Sequence, residues 1–89
     1  MNQGVDAGLQ VQNVQQIRFA LNISADQYIN LYKGRARTIS VVAEDGRRIE
    51  FDARKVQPFL TRNGIQGQFE LLTTPQHRFI ALHKLAELP

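Results

Sequence analysis

The sequence predicts a mainly β (α+β) domain: five short strands in an antiparallel sheet, either strongly bent or curled into a partly open SH3-like small barrel. One short helix follows the first strand and a single helical turn precedes the fourth. Three observations predict this. Apolar residues recur at every second position in several short runs, turn signals separate those runs at short intervals, and an 89-residue chain has too little interior for two cores. A content of 43% hydrophobic and 21% charged residues belongs to a folded chain and not to a disordered one. Residues 16–89 therefore read as one small β-rich domain behind a flexible N-terminal tail, 1–15, which is rich in Gln, Asn and Gly and shows no sustained period. Within that tail Leu9 and Val11 would add at most a frayed strand.

The first strand is carried by Ile17, Phe19, Leu21 and Ile23, which alternate with Arg18, Ala20, Asn22 and Ser24, the period of a half-buried strand. Ser24-Ala25-Asp26-Gln27 is a capping box: the serine hydroxyl takes an orphan amide and Gln27 reaches back to the cap. A helix from Ala25 to about Tyr32 follows, with Tyr28, Ile29, Leu31 and Tyr32 toward the sheet and Gly34 as a left-handed C-terminal cap.

Residues 35–52 read as a hairpin around Glu44-Asp45-Gly46. A two-residue turn would pair Val41 with Glu50 and Ile39 with Asp52, burying acids beside apolar residues. A three-residue turn with Gly46 left-handed pairs Val41 with Ile49 and Ile39 with Phe51, and leaves Ser40, Glu50, Val42 and Arg48 outside. The second register is the consistent one. Asp52 then caps a single helical or 3₁₀ turn through Val56, which brings Val56, Phe59 and Leu60 to one side before Pro58 stops it.

Asn63-Gly64 signals a turn, and Gly67, Phe69, Leu71 and Thr73 carry the fourth strand, where Gly67 marks a bend or a close backbone approach. Thr74-Pro75-Gln76 turns the chain into a fifth strand from Arg78 to about His83. The leucines at 82, 85 and 88 close the domain, with a helical ending as the alternative. Phe19, Phe51, Phe59, Phe69 and Phe79 fall in different segments, as expected of rings that meet in one core.

Several strings taken together, Phe19-x-Leu21-x-Ile23-Ser24, Tyr32-Lys33-Gly34-x-Ala36, Asp45-Gly46-Arg47 and Pro58-Phe59-Leu60-Thr61-x-x-Gly64-Ile65-x-Gly67-x-Phe69-x-Leu71, resemble a family of short uncharacterised gammaproteobacterial proteins, a domain of unknown function. The resemblance covers about residues 17–85, and its last string is the most specific. Members commonly carry proline where this chain has Asp52. The resemblance implies the same fold and a cytoplasmic bacterial origin, and it implies no catalytic or binding residue.

The absence of cysteine excludes disulfide scaffolds, thiolate metal sites and cysteine nucleophiles. Neither a signal peptide nor a spanning helix fits, so a cytoplasmic location is expected. His77 and His83, six positions apart on a strand, lie roughly 20 Å from each other and cannot share a metal. Ser24 and Asp26 belong to the capping box, not to a catalytic trio. Glu44-Asp45 and Glu50-Asp52 read as solvated charge, and no phosphate-loop glycine pattern occurs.

Charge is the one uneven feature. Eleven basic and eight acidic residues give +3 overall, and positions 33–62 alone carry a net +4. Arg35, Arg37, Arg47, Arg48, Arg54 and Lys55 are the candidate polyanion-binding residues, with Arg35 and Arg37 expected to approach Arg47 and Arg48 at the sheet margin. Tyr28 and Tyr32 are the stacking candidates, although helical spacing favours the core for both. The functional expectation is a non-enzymatic interaction module that presents a surface or sheet edge to a protein partner or a second copy. A nucleic-acid-binding accessory domain using the arginines is the alternative. No cofactor, membrane or small-molecule substrate is implied.

Overall fold

The structure, a computed structural model, describes residues 13–35 and 37–87. The expectations for Leu9, Val11 and Leu88 lie outside them. The element order is β1 (Gln15–Ile23), α1 (Ala25–Lys33), β2 (Thr38–Val42), β3 (Arg48–Asp52), a 3₁₀ segment (Ala53–Phe59), β4 (Ile65–Thr73) and β5 (Phe79–Ala86). The fold is mainly β and antiparallel, as the sequence predicts. Its strands form two ladders, a three-stranded sheet in the order β1-β4-β5 and the β2-β3 hairpin, so the arrangement is open and not a closed barrel. The ladders meet where the Glu44 amide donates to the Arg18 carbonyl at 2.8 Å, which docks the hairpin against the β1 edge.

The core follows from the two-residue period. Ile17, Phe19 and Leu21 of β1 pair with Leu71, Phe69 and Gly67 of β4, and all six are buried. Four rings form a continuous chain: Phe19 lies 5.5 Å from Phe51 and 5.7 Å from Phe69, and Phe59 meets Phe69 edge-on at 5.3 Å. These spacings are those of favourable aromatic pairs. Phe79 departs from expectation. It is 43% exposed, at the start of the outer strand β5 and opposite Thr73, the last buried residue of β4.

The hairpin has the expected register, with Val41 opposite Ile49 and Ile39 opposite Phe51, and Gly46 has φ +91°. The capping box is formed. Gln27 N donates to Ser24 Oγ at 3.1 Å and Ser24 N donates to Gln27 Oε1 at 2.9 Å. Gly34 caps α1 in an extended conformation (φ −72°) and not a left-handed one, with its amide donating to the Leu31 carbonyl. Ile29 points to solvent, so α1 packs through Tyr28, Leu31 and Tyr32.

The segment after Asp52 is longer than the expected single turn and runs to Phe59 with Pro58 inside it. Pro58 removes only one donor near the end of so short a helix. Val56 is fully buried, Phe59 packs on the core, and Leu60 turns outward. Gly67 is a close approach: a Cβ there would lie 2.9 Å from the Ala86 carbonyl oxygen. Finally, β5 continues to Ala86 as strand, which excludes the helical ending up to that residue.

Candidate functional site

Three places on the surface bear on function. The first is built from arginines, and the hairpin decides which of them meet. An antiparallel hairpin sets the residue before its first strand beside the residue after its second. The Ala53 amide accordingly donates to the Arg37 carbonyl at 2.7 Å. Arg35, Arg37 and Arg54 thus line one groove of about 420 Å³, together with Glu50, Phe51 and Asp52. Arg47 and Arg48 sit at the turn end, a strand length of roughly 15 Å away. The expected approach of all four arginines of the hairpin does not occur. Lys55 leaves the cluster too, its ammonium lying 4.1 Å from the Phe79 ring centroid.

Inside the groove Asp52, Arg54 and Arg37 have local partners. Asp52 caps the 3₁₀ segment by accepting from the Arg54 amide at 2.8 Å, and its carboxylate takes Arg54 Nε at 3.1 Å and Nη2 at 2.7 Å. These side-chain and backbone hydrogen bonds from Arg54 hold the Asp52 carboxyl down to about 2. Arg37 Nε donates to the Gly34 carbonyl at 3.4 Å, and its guanidinium lies 5.8 Å from the Tyr32 ring centroid. At the turn end Asp45 binds Arg47, whose hydrogen bonds lower the Asp45 carboxyl below its usual range. Carboxyls shifted in this direction stay ionised at neutral pH, whereas a general acid there needs a raised one.

The second place is a cleft of about 410 Å³ at the turn end. Ile17, Ile49 and Leu71 contribute apolar surface, and Arg47, Arg48 and His77 line it as well. His77 has φ +68°, a conformation uncommon outside glycine. It occupies in the β4-β5 loop the position that Gly46 has in the β2-β3 loop. In both loops the left-handed residue donates to the residue three before it, Gly46 to Ala43 and His77 to Thr74, and that earlier residue donates to the one just after, Arg47 or Arg78. His83 does not line this cleft and is paired with Glu70 across β4 and β5.

The third place is the β5 edge, which the sequence left unspecified. The β4-β5 register skips one residue between the pairs Gln68-Ala86 and Phe69-Lys84, and one between Leu72-Ala81 and Thr73-Phe79. The skipped residues are Leu85 and Ile80. Both are bulged out of the ladder, 47% and 45% exposed, with Phe79 beside them. The opposite edge of this sheet, β1, receives the hairpin at Arg18. Bulges leave no mark in a sequence, so only the structure shows that Ile80 and Leu85 leave the ladder.

Tyr28 is buried and donates to the Ala53 carbonyl at 2.9 Å, and Tyr32 packs on it with ring centroids 5.8 Å apart. Tyr28 is thus a core residue and no stacking platform. No helix among the described residues is long and apolar enough to cross a membrane. The family model that matches the chain spans residues 15–85 and is described as a protein of unknown function (DUF2835). No curated protein and no solved structure matches.

Proposed function

The chain belongs to the DUF2835 family, whose description assigns no activity, and we propose on that premise that it is a non-enzymatic interaction module of the bacterial cytoplasm that presents its β5 edge to an extended segment of a protein partner. The observation that carries this reading is the pair of bulges. They place Ile80 and Leu85 outside the ladder on either side of a regular stretch, Ala81–Lys84. A strand added along that stretch gains backbone hydrogen bonds from the free edge, and the two flanking side chains supply apolar anchors. The same bulges twist the edge and limit indiscriminate pairing along its length. Scattered exposed apolar residues are ordinary on any surface. Phe79, Ile80 and Leu85 on one edge strand are a concentration.

The test is site-specific photo-crosslinking in nuclease-treated bacterial lysate, with the photoreactive residue at position 80 of the full chain and, as control, at position 42. Val42 is 56% exposed and lies on the hairpin, in the other ladder. A discrete protein adduct from position 80 and none from position 42 supports the reading. An adduct of two copies of the chain identifies the occupant as a second copy. Equal labelling from both positions, or none from position 80, overturns the proposal.

A further inference from the structure

The arginine groove is separate from the β5 edge, and we infer that it binds ligands carrying adjacent phosphate groups. Two of its guanidiniums have contacts that orient them before any ligand arrives. Arg54 is held through Nε and Nη2 by Asp52, and Arg37 lies with Nε 3.4 Å from the Gly34 carbonyl and its guanidinium beside the Tyr32 ring. Their remaining guanidinium donors have no protein acceptor among the described residues. Arg35, from the loop before β2, lines the same groove as a third cation. Of the two acids in the lining, Asp52 is already bound to Arg54, which leaves Glu50 against Arg35 and Arg37.

The geometry matches phosphate better than a single carboxylate. Planar forks fixed in orientation bind tetrahedral oxyanions through paired hydrogen bonds, with little ordering left to do on binding. Three guanidiniums, two of them so oriented, around about 420 Å³ exceed what one carboxylate can engage, and the space is within the range of small-ligand sites. The half-buried Phe51 ring in the wall adds an apolar surface beside the cations. The turn-end arginines are two and not three: Arg47 is paired with Asp45 as Arg54 is with Asp52, Arg48 donates to Ser40 Oγ at 3.3 Å, and both line the other cleft beside Ile17, Ile49 and Leu71. They serve as an internal control for the groove.

The experiment titrates the full chain at low salt with sodium pyrophosphate and, separately, with a single-stranded oligothymidylate, followed by amide chemical shifts. The expected result is shift changes concentrated at residues 34–38 and 51–55. Affinity should drop at least about tenfold in Arg35→Ala and Arg37→Ala, the loss of one charge-assisted contact, and change less than about twofold in Arg48→Ala. Both substituted groove residues are exposed, and unchanged amide spectra of the free variants would confirm that each folds. Binding of pyrophosphate alone identifies a small phosphate ligand, whereas tighter and steeply salt-dependent oligonucleotide binding at the same residues identifies a nucleic-acid backbone. No binding of either probe tighter than about 10⁻⁴ M, or equal losses in Arg37→Ala and Arg48→Ala, overturns the inference.

Discussion

The Tyr28 hydroxyl donates a 2.9 Å hydrogen bond to the carbonyl of Ala53, and both residues are buried. The Ala53 amide is occupied at the same time by the Arg37 carbonyl. One residue thus ties the helix, the start of the hairpin and the 3₁₀ segment together, and it sets the wall on which the arginine groove is built.

Tyr28→Phe removes the donor and with it the tie from the helix to the Ala53 carbonyl. The expected loss is about 0.5–1.5 kcal/mol, read from urea unfolding as a lower midpoint with an unchanged slope. Burial pushes the Tyr28 phenol above its ordinary value of 10.0, with Tyr32 and Asp52 adding to the effect. The folded state therefore holds the proton more tightly than the unfolded chain. The resulting stability is complete below pH 10 and is lost as pH rises through the elevated value. In the phenylalanine variant this part of the alkaline decline should be absent.

Two glycines with positive φ should respond differently to alanine. At Gly64, φ is +102° and a Cβ would collide with the Ile23 carbonyl oxygen and lie 2.7 Å from the Ala25 amide nitrogen. Gly46 has φ +91° and open space around it. Gly46→Ala should show backbone strain alone, about 1–2 kcal/mol. Gly64→Ala should lose about 3 kcal/mol or more, since the clash with backbone adds to the strain. Chemical denaturation of both variants checks the order.

Phenylalanine truncation should separate fold from surface. Phe69→Ala empties the centre of the ring chain and should cost about 3–5 kcal/mol, close to the whole stability of a domain this small. Phe79→Ala, at an exposed position, should stay within about 1 kcal/mol. Thermal unfolding of the two proteins is sufficient to compare them.

Low pH should reveal the Asp52-Arg54 pair. Asp52 is lowered from 3.8 to about 2 by its hydrogen bonds from Arg54. Its contribution is present above the unfolded value and is lost as pH falls through about 2. Asp52→Asn keeps a capping side chain but no charge, so its midpoint should fall less steeply than the parent's across that window. Melting curves recorded between about pH 4 and pH 2 would show the difference.

The hairpin register and the helix start were legible in the sequence because each rests on a local rule. Side-chain parity rejects the turn that would bury Glu50 and Asp52, and Ser24 with Gln27 spells a capping box. The orientation of β5 was not legible. Alternation holds along a strand only until a bulge resets it, and the apolar run Phe79-Ile80-Ala81-Leu82 gives no sign that Ile80 leaves the ladder. His77 likewise takes a left-handed conformation that a glycine would have announced. The division of the arginines was available in principle, since the register that pairs Thr38 with Asp52 already sets Arg37 beside Ala53, next to Arg54. Grouping Arg35 and Arg37, which precede the first strand of the hairpin, with Arg47 and Arg48, which begin its partner, overlooks that antiparallel pairing sets the start of one strand against the end of the other.

The most direct measurement places Leu85→Lys in the chain that carries the photo-crosslinking residue at position 80. Leu85 is 47% exposed, so folding stability should change by no more than about 0.5 kcal/mol, while the protein adduct at position 80 should disappear. An intact fold with an undiminished adduct would contradict the assignment of β5 as the working edge.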